Sequence, residues 1–305
     1  MNFRSLSPSA KGSLYVVSGA VCISFSPLFV RFVDVGPTAV AFYRLLWGCI
    51  PLFLIALSRH ERILPSRRMT GLIILAAAFF TGDLACWHQS IHYIGPGLAT
   101  IVTNFQVFFL AIIGALFLKE RIGPRLLVSI PLAVTGLVML LEVDMSNMPE
   151  HVTTGLILGL CTDSFYTGYI LTLRRSQSLH DSLPAVPNMA VISLFGAALS
   201  GLLAFEQGQS LAVHGMHDNA LLLIYGFGCQ AFGWVLLSKG LPLLPASRAG
   251  LLMLAQPTLS FIWDVLFCGR PTGRTGYFGA AIALFAMALG VTDKGEKRNK
   301  TERVS

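Results

Sequence analysis

Gly95-Pro96-Gly97-Leu98-Ala99, an apolar run and then Lys119-Glu120-Arg121 return later as Pro245-Ala246-Ser247-Arg248-Ala249, an apolar run and Gly269-Arg270-Pro271. A fixed offset of 150 places Ala99 on Ala249, Gln106 on Gln256, Phe117 on Phe267 and Gly123 on Gly273. Both copies are strongly apolar. A duplicated apolar unit is the sequence mark of a membrane transporter built from repeats.

Composition agrees. The 305 residues are 54% hydrophobic and only 12% charged, about half the charge of a soluble domain, with mean hydropathy +0.69. The net charge of +7 does not point to nucleic acid, because the positive residues sit in short loops and in the tail rather than on one patch. The six cysteines (Cys22, Cys49, Cys86, Cys161, Cys229 and Cys268) lie in or beside apolar runs with no CxxC pair. They imply neither a metal site nor a disulfide framework. No cofactor is implied.

Apolar stretches long enough to cross a bilayer as helices occupy 13–30, 37–57, 70–92, 97–118, 125–143, 154–173, 184–204, 219–238, 246–267 and 275–292. The expected fold is therefore all-α and polytopic, with ten spans. The first run is longer than a signal-peptide core and is followed by Arg31-Phe32-Val33-Asp34, so it reads as a span. Residues 293–305 read as a solvated basic tail.

Placing the N-terminus in the cytoplasm collects nearly all of the 22 Lys and Arg on the inner side. Only Arg31, Arg270 and Arg274 fall outside, and Arg44 lies within the second span. That asymmetry supports the orientation, with both termini cytoplasmic. Five spans per half then make the second repeat (154–292) run upside down relative to the first (13–143). Inverted halves can exchange conformations around a fixed central site, which is the basis of alternating access.

Phe42-Tyr43-Arg44-Leu45-Leu46, Gly95-Pro96-Gly97-Leu98-Ala99, Lys119-Glu120-Arg121 and Leu132-Ala133-Val134-Thr135-Gly136 in the first half resemble the motifs of one family. Pro245-Ala246-Ser247, Gln256-Pro257 and Gly279-Ala280-Ala281 repeat the resemblance in the second. The chain is similar over nearly its whole length to the EamA-type members of the drug/metabolite transporter superfamily. It departs from them at Arg270, where an acidic residue is expected, and at Val107, where proline is common. The resemblance implies transport of a small molecule, with net efflux; short loops and compact size point to a bacterial inner membrane. It also implies a cavity lined by spans one, three, four, six, eight and nine.

An ionisable side chain within a span costs about 2.5–3.5 kcal/mol on insertion scales, so each requires an account. Asp83 and Trp87 are four apart in span three and share a face; His88 and His92 share an adjacent one. Asp163 and Tyr166 share a face of span six. Span eight offers Gln230 and Trp234, span nine Gln256 and Trp263, and span four Asn104 and Gln106. These acids, amides and aromatic rings suit a polar or amphipathic solute such as an amino acid, an aromatic metabolite or an organic cation. Asp83 and Asp163 are the candidates for proton coupling. His88 and His92 have metal-ligand spacing but no third ligand on their face.

Other polar residues read as structural. Arg44 is expected to tie down carbonyls or an acid at the outer end of a peripheral span. Asp264 is expected to pair with Arg270 or Arg274, and Glu120 to form an interfacial ion pair or cap. Gly155 and Gly159 favour close helix packing. Pro27 and Pro257 are expected to free carbonyls and bend spans one and nine. An intramembrane enzyme is the alternative class. Phe80-Thr81-Gly82-Asp83 lacks the first glycine of an aspartyl-protease motif, no GxSG occurs, and no GxxxxGK[ST] supports direct use of ATP. A non-transporting structural protein is the remaining alternative.

Overall fold

The computed structural model describes residues 7–106, 109, 123–141, 149–177, 179–240, 243, 252–253 and 255–291. The Lys119-Glu120-Arg121 and Pro245-Ala246-Ser247-Arg248 motifs, the Glu120 cap, Val107 and the tail from residue 293 lie outside them. Helices account for all the regular structure among the described residues. Helix α1 spans Pro8–Ser24, α2 Ser26–Phe32, α3 Pro37–Ser58, α4 Arg67–Ile94 and α5 Pro96–Val102. Next come α6 (Pro124–Leu141), α7 (Glu150–Gln177), α8 (Ala185–Glu206) and α9 (Met216–Ile224). A π-helical segment, Tyr225–Gly233, runs on into α10 (Trp234–Gly240); α11 (Ala255–Phe267) and α12 (Arg274–Val291) complete the series.

Helix starts follow local chemistry. Ser7 and Ser66 accept the amides of Ala10 and Met69 at their N-caps. Proline stands at the first position of α1, α3, α5 and α6, where its missing N–H removes no hydrogen bond.

Among the described residues, six helical stretches are long and apolar enough to cross a membrane: Pro8–Phe32, Pro37–Ser58, Arg67–Ile94, Glu150–Leu173, Ala185–Glu206 and Met216–Leu237. Leu127–Leu140 and Arg274–Gly290 are shorter apolar helices. The expected spans 97–118 and 246–267 are described only in part. Span one breaks at Phe25, with Pro27 in the first turn of α2. The Ser24 carbonyl there accepts the Ser260 hydroxyl at 2.9 Å, because the Leu28 amide turns to the Phe25 carbonyl instead.

The helices pair in a pattern that is unchanged when the halves are exchanged. α3 packs on α8, α5 on α11 and α6 on α12. α4 packs on α7, while α1 packs on the π-helical segment and α10. Helices α6 and α12 also begin and end at the offset read from sequence, Pro124 to Arg274 and Leu141 to Val291.

Small residues set the closest approaches. A Cβ on Gly155 would lie 2.5 Å from Ile94 Cγ2, and one on Gly159 2.7 Å from Val102 Cγ1. Helices α6 and α12 meet backbone to backbone. A Cβ on Gly136 would stand 2.5 Å from the Ala283 backbone nitrogen, and one on Gly279 2.5 Å from that of Leu140. Backbone cannot give way as a side chain can. Gly136→Val is therefore expected to destabilise the protein by about 1–3 kcal/mol, read as a lower unfolding temperature in detergent. Gly71→Ala, with nothing within 4 Å of the new Cβ, is expected to leave that temperature unchanged.

Candidate functional site

Between the halves lies a cavity of about 250 Å³, near the small end of metabolite pockets. Seven of the expected residues line it: Asp83 and Trp87 from α4, Asn104 and Gln106 beyond α5, Tyr166 from α7, Trp234 from α10 and Gln256 from α11. Both halves contribute. The 3.6-residue period of α4 brings Asp83 and Trp87 to one face, as expected. Phe80 joins them one turn earlier, and Thr103 and Thr162 add hydroxyls.

The other four expected residues sit outside this lining. Asp163 lies behind it, fully buried, with neither carboxylate oxygen hydrogen-bonded among the described residues; the backbone amide of Gln106 approaches it. His88 is also fully buried, held at Nδ1 by the Pro37 carbonyl (3.0 Å) and at Nε2 by the Tyr225 hydroxyl (3.1 Å). Gln230 is committed to Arg44 and Ser193. Trp263 donates its indole N–H to Ser24 Oγ at 3.0 Å and stacks on Phe25 at 4.8 Å between centroids. It is thus part of the fastening between α11 and the break in span one.

Asp83 keeps 6% exposure and faces the cavity, with no hydrogen bond to a described residue. The indole nitrogens of Trp87 and Trp234 likewise lack partners among the described residues. Buried polar groups are ordinarily satisfied. Asp83 on the cavity, Asp163 behind it and the two indole nitrogens thus stand out as polar groups without a hydrogen-bond partner among the described residues.

Arg44 differs from the sequence expectation. It lines the cavity rather than anchoring a peripheral end. It bonds a side-chain amide and a phenol, not carbonyls or an acid: Nε donates to Gln230 Oε1 and Nη1 to the Tyr225 hydroxyl, both at 2.9 Å. The physical reason is close approach. A Cβ on Gly48 would fall 2.4 Å from Gln230 Cγ, and one on Gly226 2.5 Å from Trp47 Cβ. Glycine at both places lets α3 sink against the π-helical segment and carries its arginine inward. An ionisable residue inside a span was the available signal; the paired glycines were the missing one.

At the Gly95 end of the bundle, Asp264 is buried at 2% exposure. It accepts the Gly97 amide at 2.9 Å and lies 3.7 Å from Arg270, the partner expected from sequence. Arg270 also donates to the Ile94 carbonyl at 3.1 Å. The turn between α4 and α5, where Gly95 takes φ +82°, is thereby fastened to the end of α11. His217 pairs with Asp218 at 2.9 Å in an exposed position.

The model of the EamA-like transporter family matches the sequence twice, over residues 10–142 and 153–292. The chain belongs to the EamA-like transporter family. Among curated relatives, "Uncharacterized inner membrane transporter YhbE" of Escherichia coli (strain K12) is 22% identical over 90% of this chain and 88% of its own length. A Salmonella typhimurium protein named "Probable amino-acid metabolite efflux pump" is 28% identical over 68% of this chain and 71% of its own. "Uncharacterized transporter YwfM" of Bacillus subtilis (strain 168) is 25% identical over 86% of this chain and 85% of its own length. A crystal structure titled "Crystal structure of protein" matches with a TM-score of 0.67 at 16% identity, covering 92% of this chain and 98% of its own. That likeness concerns the fold alone.

The geometry separates two tryptophans that sequence placed together. In a thermal-shift titration with a bound metabolite, Trp87→Ala is expected to weaken apparent affinity by about tenfold or more, about 1.4 kcal/mol. Trp263→Phe is expected to leave affinity near wild type while lowering the unfolding temperature.

Proposed function

We propose that this chain is a secondary transporter that moves a small metabolite across the bacterial inner membrane by alternating access, with efflux as its net direction. The solute classes that fit are amino acids, aromatic metabolites and organic cations or drugs. The architecture we assign is ten spans in two five-helix repeats of opposite orientation, over 13–143 and 154–292. Both termini are then cytoplasmic, with residues 293–305 as a basic tail. The exchange-invariant helix pairing and the lopsided distribution of positive charge support that assignment.

One observation carries the reading: a cavity of about 250 Å³ at the seam of the halves, holding a carboxylate with no hydrogen-bond partner among the described residues. Asp83 has acceptor capacity turned to the cavity, and Asp163 behind it has no hydrogen-bond partner among the described residues. Carboxyls so placed can exchange a proton for a solute's cationic group, which couples flux to the proton gradient. The name of the Salmonella relative favours amino-acid metabolites among the solute classes. In proteoliposomes with an imposed pH gradient, wild type is expected to move at least one of these solutes. Asp83→Asn is expected to lower the rate by about tenfold or more and to remove its dependence on the gradient. Absence of flux for every amino acid, aromatic metabolite and organic cation tried overturns the reading.

Alternating access also requires a seal that opens. Asp264, Gly97, Arg270 and Ile94 join the halves at the end assigned to the outside. The sequence equivalents at the offset of 150 are Gly114 for Asp264 and Glu120 for Arg270, so the inner end carries a different set. Asp264→Ala is expected to speed labelling by a membrane-impermeant thiol reagent, added from outside, of a cysteine placed at Asn104 with native cysteines replaced. An unchanged labelling rate removes the seal from the mechanism.

A further inference from the structure

Arg44 is the least expected occupant of the cavity, and its surroundings are organised to point it there. In neutral His88, Nδ1 must carry the proton, because the Pro37 carbonyl can only accept. Nε2 is then an acceptor, and the Tyr225 hydroxyl donates to it. The phenol oxygen is left to accept Arg44 Nη1–H. On the other side, Gln230 spends its amide N–H on Ser193 Oγ at 3.2 Å and turns Oε1 toward Arg44 Nε–H. Both acceptors are thus locked as acceptors by a second tier of residues.

The π-helical segment makes the pair possible. Tyr225 and Gln230 are five residues apart. At 3.6 residues per turn they would stand about 140° apart around an α-helix. In a π-helix, whose hydrogen bonds run from i to i+5, they stand one above the other. The segment begins at Tyr225 and includes Gln230. The guanidinium also sits between aromatic faces, 5.1 Å from the Tyr225 ring centroid, 5.8 Å from Phe80 and 5.9 Å from Trp87.

Every one of these contacts is to a neutral group. Among the described residues, no carboxylate stands at ion-pair distance from Arg44. A fixed positive charge inside a membrane-embedded cavity, oriented by neutral groups and in the field of Asp83 without being bonded to it, keeps a donor for a charge-assisted hydrogen bond. We propose that Arg44 receives the carboxylate of the transported solute, held for that task by Tyr225 and Gln230 on the π-helical segment. With Asp83 on the same cavity, the substrate class is a zwitterion or carboxylate-bearing metabolite rather than a simple organic cation. This inference rests on the transport reading and narrows it.

The test uses the purified full chain with phenylalanine and phenethylamine, which share an aromatic ring and an amine and differ in the carboxylate. Both thermal stabilisation and proteoliposome flux are read. Wild type is expected to favour phenylalanine by about tenfold or more. Arg44→Gln is expected to abolish that preference. Should Arg44→Gln fail to fold, Gln230→Glu decides: it places a carboxylate on Arg44 in nearly the same shape. It is expected to keep or raise the unfolding temperature while weakening phenylalanine by about tenfold or more and leaving phenethylamine little changed. If Gln230→Glu or a folded Arg44→Gln retains the wild-type preference for phenylalanine, Arg44 is structural and the proposal is overturned. Wild-type flux of phenethylamine without phenylalanine overturns it and leaves transport standing. Absence of flux for both, and for the wider solute panel, overturns both readings together.

Discussion

A charge placed in a bundle meant for lipid surroundings has no bulk water to turn to, so the protein must solvate it. Arg44 imposes that requirement here, and a large part of the central structure answers it. Two glycines thin the contact between α3 and span eight. Span eight changes its winding for nine residues. Ser193, His88 and the Pro37 carbonyl fix the donors and acceptors one layer further out. Loss of any of these would leave a desolvated cation or an orphaned acceptor, each more costly than the contact itself.

The acids of the protein divide by the same criterion. Asp264 is buried and satisfied, by a backbone amide and an arginine, and it joins two turns. Asp83 and Asp163 are buried and lack hydrogen-bond partners among the described residues. Satisfaction rather than burial therefore separates the carboxylate that fastens the fold from the two on which the proposed proton and solute chemistry rests. The tryptophans follow suit: the indole nitrogen of Trp263 is spoken for by Ser24, and those of Trp87 and Trp234 are not.

Much of this was legible in the chain. The offset of 150 recurs in the termini of α6 and α12. The 3.6 period put Asp83 and Trp87 on a common face, and Pro27 marked the break in span one. Failures arose where local regularity gives way to tertiary contact. Arg44 reads as part of a peripheral helix because nothing in its own span shows that a glycine two spans from the end of the chain would admit it. Tyr225 gives no signal in the sequence because an α-helical wheel points it away from Gln230. Trp263 shares its residue type with cavity residues and differs only in having a serine within reach. Residues 107–108 and 110–122, with the second-half motif around Pro245, lie outside what the structure describes.

The contact of α6 with α12 has a mechanical corollary. Where Gly136 and Gly279 meet, main chain lies on main chain at the crossing point. A crossing so close is a natural pivot for the two helices. A fulcrum at that seam would turn a small tilt into a larger displacement across the more distant helices, without any sliding of packed surfaces.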